Sequence, residues 1–213
     1  MKPVLHGYFR SSAAYRVRIA LALKGVEVQP VFHHLRKGEQ QSADYLALNP
    51  QGLLPTLETP DGAITQSLAI IEYLDETIAG APLLPEDAMG RARVRSLAQA
   101  VACDIHPIDN LRVLNYLRNE IGVDETTVQQ WFNHWITIGF AAIETRLAEP
   151  QTGQFMHGDT PTLADVCLIP QVTNARNFDL DLAPFPRIQR IFSAAMALPA
   201  FAGAAPSQQP DAE

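Results

Sequence analysis

The apolar positions along the chain follow two different periods. Over roughly the first 80 residues short strand-like runs alternate with helical spacing, and from there on the spacing is helical throughout. Val4, Leu5, His6, Gly7 and Tyr8 read as a short strand. Ser11 and Ser12 open a helix with apolar positions at Ala13, Val17, Ala20, Leu21 and Leu23. Lys24 suits the negative end of that helix dipole, and Gly25 supplies a left-handed stop. Residues 28–33 read as a second strand and 44–48 as a helical turn. Residues 53–58 and 63–66 form a hairpin-like pair around Pro60, Asp61 and Gly62, residue types that favour a turn. Ser67 stands where it would cap a last helix over 68–78.

That order, βαβαββα, describes an N-terminal thioredoxin-like domain over residues 1–80. Pro82 and Pro85 mark a linker at 81–87, and 88–213 reads as a C-terminal all-helical bundle domain, so the fold class is α/β plus all-α. Helices are expected near 88–118, 124–147, 162–176 and 184–198. Thr162 and Asp165 have the spacing of a capping box before an apolar run, and Asp165 reads as structural. The segment after Phe201, rich in small and polar residues, is expected to fray.

Charge and composition narrow the partners. With 16 Lys and Arg against 23 Asp and Glu, the net charge of −7 repels a phosphate backbone, so nucleic acid is not expected. No apolar run approaches the ~20 residues of a membrane span, and the start of the chain lacks a signal peptide's apolar region. Cys103 and Cys167 have neither disulfide-framework nor metal-ligand spacing, which fits a reducing, cytoplasmic setting.

Three devices in the first domain could hold an anionic or peptide-like ligand. At Tyr8-Phe9-Arg10-Ser11-Ser12 a strand runs into a helix start, where unpaired N–H groups and the dipole favour a thiolate; taken alone, Ser11 and Ser12 read first as plain caps. Pro55 within a strand belongs at an edge or bulge, and Gly52 nearby is compatible with a cis Leu54-Pro55 bond that would free the Leu54 backbone for a peptide. Gln66 and Ser67 at a helix start could cap the helix or take a carboxylate. In the helical half, His106 and Asn110 are four apart and share a helix face with Cys103 near it, unless Pro107 kinks the helix. Arg112 falls nearly opposite Asn110, and Arg176 stands at a helix C-terminus, where a cation also suits the dipole. Serine-hydrolase, zincin, P-loop and dinucleotide motifs are all missing.

These devices in this order resemble the zeta class of glutathione transferases over nearly the whole chain. Ser11-Ser-Ala-Ala-Tyr-Arg-Val-Arg-Ile-Ala-Leu21 is similar to that class's Ser-Ser-Cys-x-x-Arg-Val-Arg-Ile-Ala-Leu signature. Asn49-Pro-Gln-Gly-Leu-Leu-Pro55 and Gln66-Ser-Leu-Ala-Ile-Ile-Glu-Tyr-Leu74 resemble its glutathione-binding segments, and residues 158–165 a capping segment common to glutathione transferases. The class's cysteine is Ala13 here, which excludes a mechanism that needs an enzyme thiol at that position.

The resemblance implies reduced glutathione as cofactor, a homodimer, and cis-trans isomerisation of maleylpyruvate or maleylacetoacetate by reversible thiolate addition. It implies that Ser11 bonds the sulfur with Ser12 beside it, that Leu54 next to Pro55 pairs with the cysteinyl backbone, and that Gln66 and Ser67 hold the γ-glutamyl end. Gln40 and Gln51 fall where the tripeptide is touched, His106, Asn110 and Arg112 in the segment that closes the site, and Asp104 where a partner subunit is reached. Arg10, Arg112 and Arg176 are the guanidiniums available for substrate carboxylates, because a planar fork donates two parallel hydrogen bonds. Arg112 favours the shorter diacid, whose charges lie closer together. Two rival readings are a transferase that conjugates or dehalogenates small α-halo acids, and a non-catalytic binding module on the same fold.

Overall fold

The structure, a computed structural model, describes residues 2–213. By its contacts the chain divides into one unit that runs to Pro82 and takes in Ala197–Glu213, and a second of Leu83–Met196.

In the first unit, strand β1 (Val4–Gly7) leads into helix α1 (Ser12–Leu23), followed by β2 (Gln29–Phe32), α2 (Ala43–Leu48), β3 (Thr56–Thr59), β4 (Gly62–Thr65) and α3 (Ser67–Thr77). The sheet order is β2-β1-β3-β4, with β1 parallel to β2 and antiparallel to β3, and β3 antiparallel to β4. Alternation sorts the two faces. Leu5 pairs with Leu57, and both are buried. On the same side as Leu5, Gly7 lies 3.5 Å by its would-be Cβ from Ala14 of α1, so that helix packs closely. His6, Thr56 and Glu58 turn to the other face, where Tyr45 of α2 covers them. Pro30 is tolerated because β2 is an edge strand.

Helix α1 buries Ala14, Val17, Ile19, Ala20 and Leu21, and α3 buries Ile70, Ile71 and Leu74. The two pack together. Lys24 does more than complement a dipole: its ammonium is buried, donating to Asp75 Oδ1 at 2.7 Å and to the Ala81 carbonyl at 2.9 Å. Gly25 has the expected positive φ. The expectation of a frayed end is overturned. Helix α9 (Pro199–Ala202) packs on α1, Phe201 is fully buried, and the rest of the segment is hydrogen-bonded back onto the first unit.

The second unit holds α4 (Ala88–Gln99), α5 (Leu111–Tyr116), α6 (Glu125–Arg146), α7 (Leu163–Asn177) and α8 (Pro186–Met196). The single helix expected over 88–118 is broken. After α4 the chain widens into a π-helical segment, Ala100–Ile105, closed by the His106 N–H donating to the Val101 carbonyl at 2.9 Å. It then leaves the helix through a turn at 106–110 that contains Pro107, which has no N–H to give. Helix α7 is the centre of this unit, with Leu163 to Val172 buried without a gap. Its capping box forms as expected: Asp165 accepts from the Thr162 N–H and hydroxyl and from the Met156 N–H, each at 2.8 Å. Glu144 of α6 caps α8 by accepting the N–H groups of Arg187 and Ile188. Arg93 faces inward and bonds Glu149, Thr152 and the carbonyls of Arg146 and Met156. Among the described residues no helix is long and apolar enough to cross a membrane.

Candidate functional site

At the β1–α1 junction the Ser11 backbone is extended (φ −67°, ψ 113°), which ends the strand and starts the helix at that residue. Its Oγ accepts the Ala14 N–H at 3.1 Å, so the hydroxyl hydrogen remains to be donated outward. No acidic residue stands in the first turn of α1, and the positive end of its dipole is not neutralised locally. Ser12 is buried as the first helical residue, and Arg10 is exposed beside them. A group with a donor hydroxyl, a bare helix start and a guanidinium favours an anion.

The loop before β3 is held from beneath. Asn49, almost fully buried, donates to the Leu53 carbonyl at 2.7 Å, and its Oδ1 accepts the Gln51 N–H at 3.1 Å. Tyr45 Oη bonds the same Leu53 carbonyl at 2.6 Å and Thr56 Oγ1 at 2.8 Å. Gln41 donates to the Gly52 carbonyl at 3.3 Å, and Gly52 has φ 59° with no room for a side chain against Gln41. The Leu54-Pro55 bond is cis, and Leu54 stands outside the β3 ladder, which begins at Thr56. Leu54 packs with Tyr8, Phe9 and Tyr45 in one apolar cluster, which ties this loop to the junction.

The start of α3 differs from expectation. Gln66, not Ser67, occupies the cap position, and it does so at φ 71° without a side-chain cap bond; Ser67 is the first helical residue. A non-glycine residue at positive φ costs on the order of 1–3 kcal/mol and persists where its surroundings fix it. Gln66 Nε2 donates to Gln51 Oε1 at 2.8 Å, and Ser67 Oγ accepts from the buried Arg16 at 3.3 Å. Gln40 is half-buried, with its Oε1 shielded from solvent and accepting no hydrogen bond. Thus Gln51 and Gln66 meet directly, Ser67 is tied to α1, and Leu54 is tied to the junction that carries Ser11.

In the second unit, His106 and Asn110 meet through Nε2 and Nδ2 at 3.4 Å, but across a turn and not along a helix face. Asn110 caps α5 by accepting the Arg112 backbone N–H at 3.0 Å, so the two residues stand at the start of that helix and not on opposite faces of one continuous helix. Asp104 and Arg112 are exposed. Arg176, in the last turn of α7, lies with its guanidinium 4.1 Å over the Phe192 ring, is exposed, and pairs with no carboxylate among the described residues. Asp109 was not singled out by its sequence context. It is 4% exposed, neither carboxylate oxygen takes a hydrogen bond, and burial pushes its carboxyl up to about 8. Tyr45, Asn49 and Arg16 were missed as well. Asn49 before Pro-Gln-Gly is an Asx-turn signal that points to its role.

Residues 2–76 match the model of the glutathione S-transferase N-terminal domain, and residues 139–194 that of its C-terminal domain. A maleylpyruvate isomerase of Ralstonia sp is 49% identical over 97% of this chain and 98% of its own. A probable maleylacetoacetate isomerase of Vibrio cholerae is 48% identical over 100% and 99%. Among solved structures, a holo maleylpyruvate isomerase described as a bacterial zeta-class glutathione S-transferase superposes with a TM-score of 0.97 at 48% identity, covering 99% of this chain and 100% of that one. Maleylacetoacetate isomerase of Methylobacterium extorquens AM1, solved with malonate and glutathione bound, gives a TM-score of 0.96 at 45% identity over 99% of both chains. By that likeness over its full length, the chain belongs to the zeta class of glutathione transferases, in the group of maleylpyruvate and maleylacetoacetate isomerases.

Proposed function

We propose that the protein is a glutathione-dependent isomerase that converts maleylpyruvate to fumarylpyruvate, with maleylacetoacetate to fumarylacetoacetate as the companion reaction of aromatic catabolism. The observation that carries the proposal is Ser11: a cap residue whose hydroxyl keeps a hydrogen to donate, at a helix start with no acidic residue. Reduced glutathione fits the groups present in the first unit. Two helix starts lack acidic neighbours, the Gln40 oxygen is unpaired, and the Leu54 backbone lies outside the ladder. In this reading Ser11 with Ser12 holds the sulfur end and Leu54 beside Pro55 the cysteinyl backbone. Gln66 and Ser67 hold the γ-glutamyl carboxylate, and Gln40 and Gln51 touch the tripeptide.

Bound glutathione supplies a thiolate whose reversible addition to the conjugated cis double bond permits rotation. The protein's own task is to lower that thiol's pKa, through the Ser11 hydroxyl and the α1 dipole, and to hold two carboxylates. Arg10, Arg112 and Arg176 are the guanidiniums proposed for the carboxylates; Arg176 lies 4.1 Å over the Phe192 ring, is exposed and pairs with no carboxylate among the described residues. Arg112 as a further cation favours the shorter diacid. His106 and Asn110 shape that segment, and Asp104 is proposed to reach a partner subunit in a homodimer. The net charge of −7 argues against nucleic acid, and two free cysteines fit a cytoplasmic setting.

The test follows maleylpyruvate by its ultraviolet absorbance, coupled to fumarylpyruvate hydrolase, with and without catalytic glutathione. Turnover that needs glutathione and leaves its concentration unchanged supports the proposal. Stoichiometric thiol loss with α-halo acids, and no isomerisation, moves the chain to the conjugating branch of the class. Failure to bind immobilised glutathione makes it a binding module.

A further inference from the structure

The C-terminal segment grips the turn that presents Arg10 and Ser11. Its course along the first unit is fixed at several points. Tyr15 Oη donates to the Phe201 carbonyl at 2.9 Å, both residues being buried, and Arg18 Nε donates to the Ala204 carbonyl at 3.0 Å. Gln209 folds the segment back on itself by donating to the carbonyls of Gly203 and Ala205. Glu213 meets His34 at 2.9 Å. Between these anchors Asp211 Oδ2 accepts the Phe9 N–H at 2.9 Å.

The other side of the same turn is held by Arg18. Its Nη2 donates to the Phe9 carbonyl at 3.1 Å and its Nη1 to the Tyr8 carbonyl at 3.4 Å, an oxygen that also accepts the Ser11 N–H at 3.0 Å. Phe9 therefore has its N–H held by Asp211 and its C=O by Arg18. The plane of the Phe9–Arg10 peptide is fixed by that carbonyl, and it sets the direction in which Arg10 and then Ser11 leave the strand. Asp211 also acts on Arg18 through space: burial pushes the guanidinium down to about 10, and the Asp211 charge opposes that shift. The second oxygen of Asp211 is shielded and accepts nothing. Asp211 thus commits its one hydrogen-bonded oxygen to Phe9, inside the turn that presents Arg10 and Ser11.

We propose that Asp211, with Arg18 opposite it, is a positioning residue for the isomerisation, and that the C-terminal segment is a strap holding the Tyr8–Ser11 turn in its reactive form. The proposal rests on the reading of Ser11 and Arg10 given above. Asp211 touches neither substrate nor sulfur; it acts through the Phe9 peptide.

Two full-length variants test it, Asp211→Ala and Asp211→Asn. Both remove the same negative charge, but the asparagine keeps an oxygen that can accept the Phe9 N–H, so the difference between them reads that hydrogen bond alone. In Asp211→Ala the kcat for maleylpyruvate falls about tenfold, as expected when the hydrogen bond to the Phe9 N–H is lost, and the bound glutathione thiol titrates at higher pH in its thiolate absorbance. Asp211→Asn stays within about twofold of the unmodified enzyme in both readouts, and the melting temperatures of the two variants differ only by the few degrees that one hydrogen bond is worth. Equal behaviour of the two variants, or loss of activity that only tracks loss of melting temperature, overturns the strap. Absence of glutathione-dependent isomerisation in the unmodified chain would instead overturn the functional reading beneath it, so the two failures are distinct.

Discussion

The two units hold their candidate groups in opposite ways. In the first, the groups stand at element ends and loop backbones: Ser11 at a cap, Leu54 just outside a ladder, Gln66 at a positive φ, with Asn49, Tyr45 and Gln41 propping the loop from below. In the second, they are exposed side chains on helix surfaces, Arg112 after a cap and Arg176 stacked on Phe192. Groups at element ends are placed by the backbone and its hydrogen bonds, whereas an exposed guanidinium is placed by its own side chain. The first arrangement suits a ligand that never changes. The second suits a substrate that differs between enzymes of one fold.

The sharpest way to break that contrast is Arg176→Ala. A charge-assisted bidentate pair to a substrate carboxylate is worth about 2–3 kcal/mol, so kcat/KM for the diacid should fall about 10²-fold. KM for glutathione should hold, and Arg176→Lys should recover only part of the loss. A parallel loss in glutathione binding would make Arg176 structural and erase the division of labour. Next in size is Ser11→Ala. It removes the cap of α1 and the proposed donor for the sulfur, with activity expected to drop about tenfold and stability by about 1 kcal/mol. Here the thiolate absorbance titration should move to higher pH; an unmoved titration would take Ser11 out of the chemistry and leave it only a cap.

Much of this was readable in the sequence where the signal is local. The first strand (read to Tyr8, formed to Gly7), the hydroxyl-opened α1, the turn at Pro60-Asp61-Gly62 and the Thr162–Asp165 box each depend on residues within four positions of one another, and each forms. What escaped depends on contacts distant in sequence or on backbone the apolar period does not record. The π-helical segment Ala100–Ile105 is too short to show in the apolar period, and Pro107, read as a kink within one helix, stands instead in the turn that ends it. Gln66 takes the cap at φ 71° because its side chain is held by Gln51, fifteen residues away in sequence. The segment after Phe201 has the composition of a loose end, yet Tyr15, Arg18 and Phe9 hold it.

A smaller effect separates the units by their polar interiors. Asp109 in the second unit is a buried carboxyl with no hydrogen bond, raised from 3.8 to about 8 by desolvation. Its folded pKa lies above its unfolded one, so the folded chain keeps a proton that the unfolded chain releases. Stability is therefore full below about pH 4, declines as pH rises from there, and has lost this contribution once pH passes about 8. Asp109→Asn removes the titration and should raise stability at pH 8 to 9 by about 1–2 kcal/mol, or roughly 3–6 °C in melting temperature. Identical alkaline limbs in the two proteins would mean that Asp109 finds a partner in solution.

The first unit should show the reverse slope. His6 Nδ1 meets His33 Nε2 at 2.8 Å, His6 Nε2 meets Glu58 Oε1 at 2.7 Å, and Tyr45 of α2 lies against both rings. One hydrogen between the two imidazoles makes a bond; a second makes two donors face each other. His33 is pushed below 6.5 by burial first and by His6 next, with Glu39 opposing. The unfolded chain thus takes up a proton that the folded His33 refuses. Stability is full above about pH 6.5 and falls as pH drops through the lowered value. The loss is that of one hydrogen bond, about 1 kcal/mol, or roughly 2–4 °C. His33→Gln cannot titrate in this range and should remove this acid loss between pH 7 and 5, leaving there only the opposite slope that Asp109 sets between about pH 4 and 8, the decline toward alkaline pH. Because Tyr45 braces the Leu53 carbonyl, the same acidification should raise KM for glutathione in the unmodified enzyme more than in His33→Gln. An acid limb that keeps its slope in the variant would assign the titration elsewhere and leave the histidine pair as packing alone.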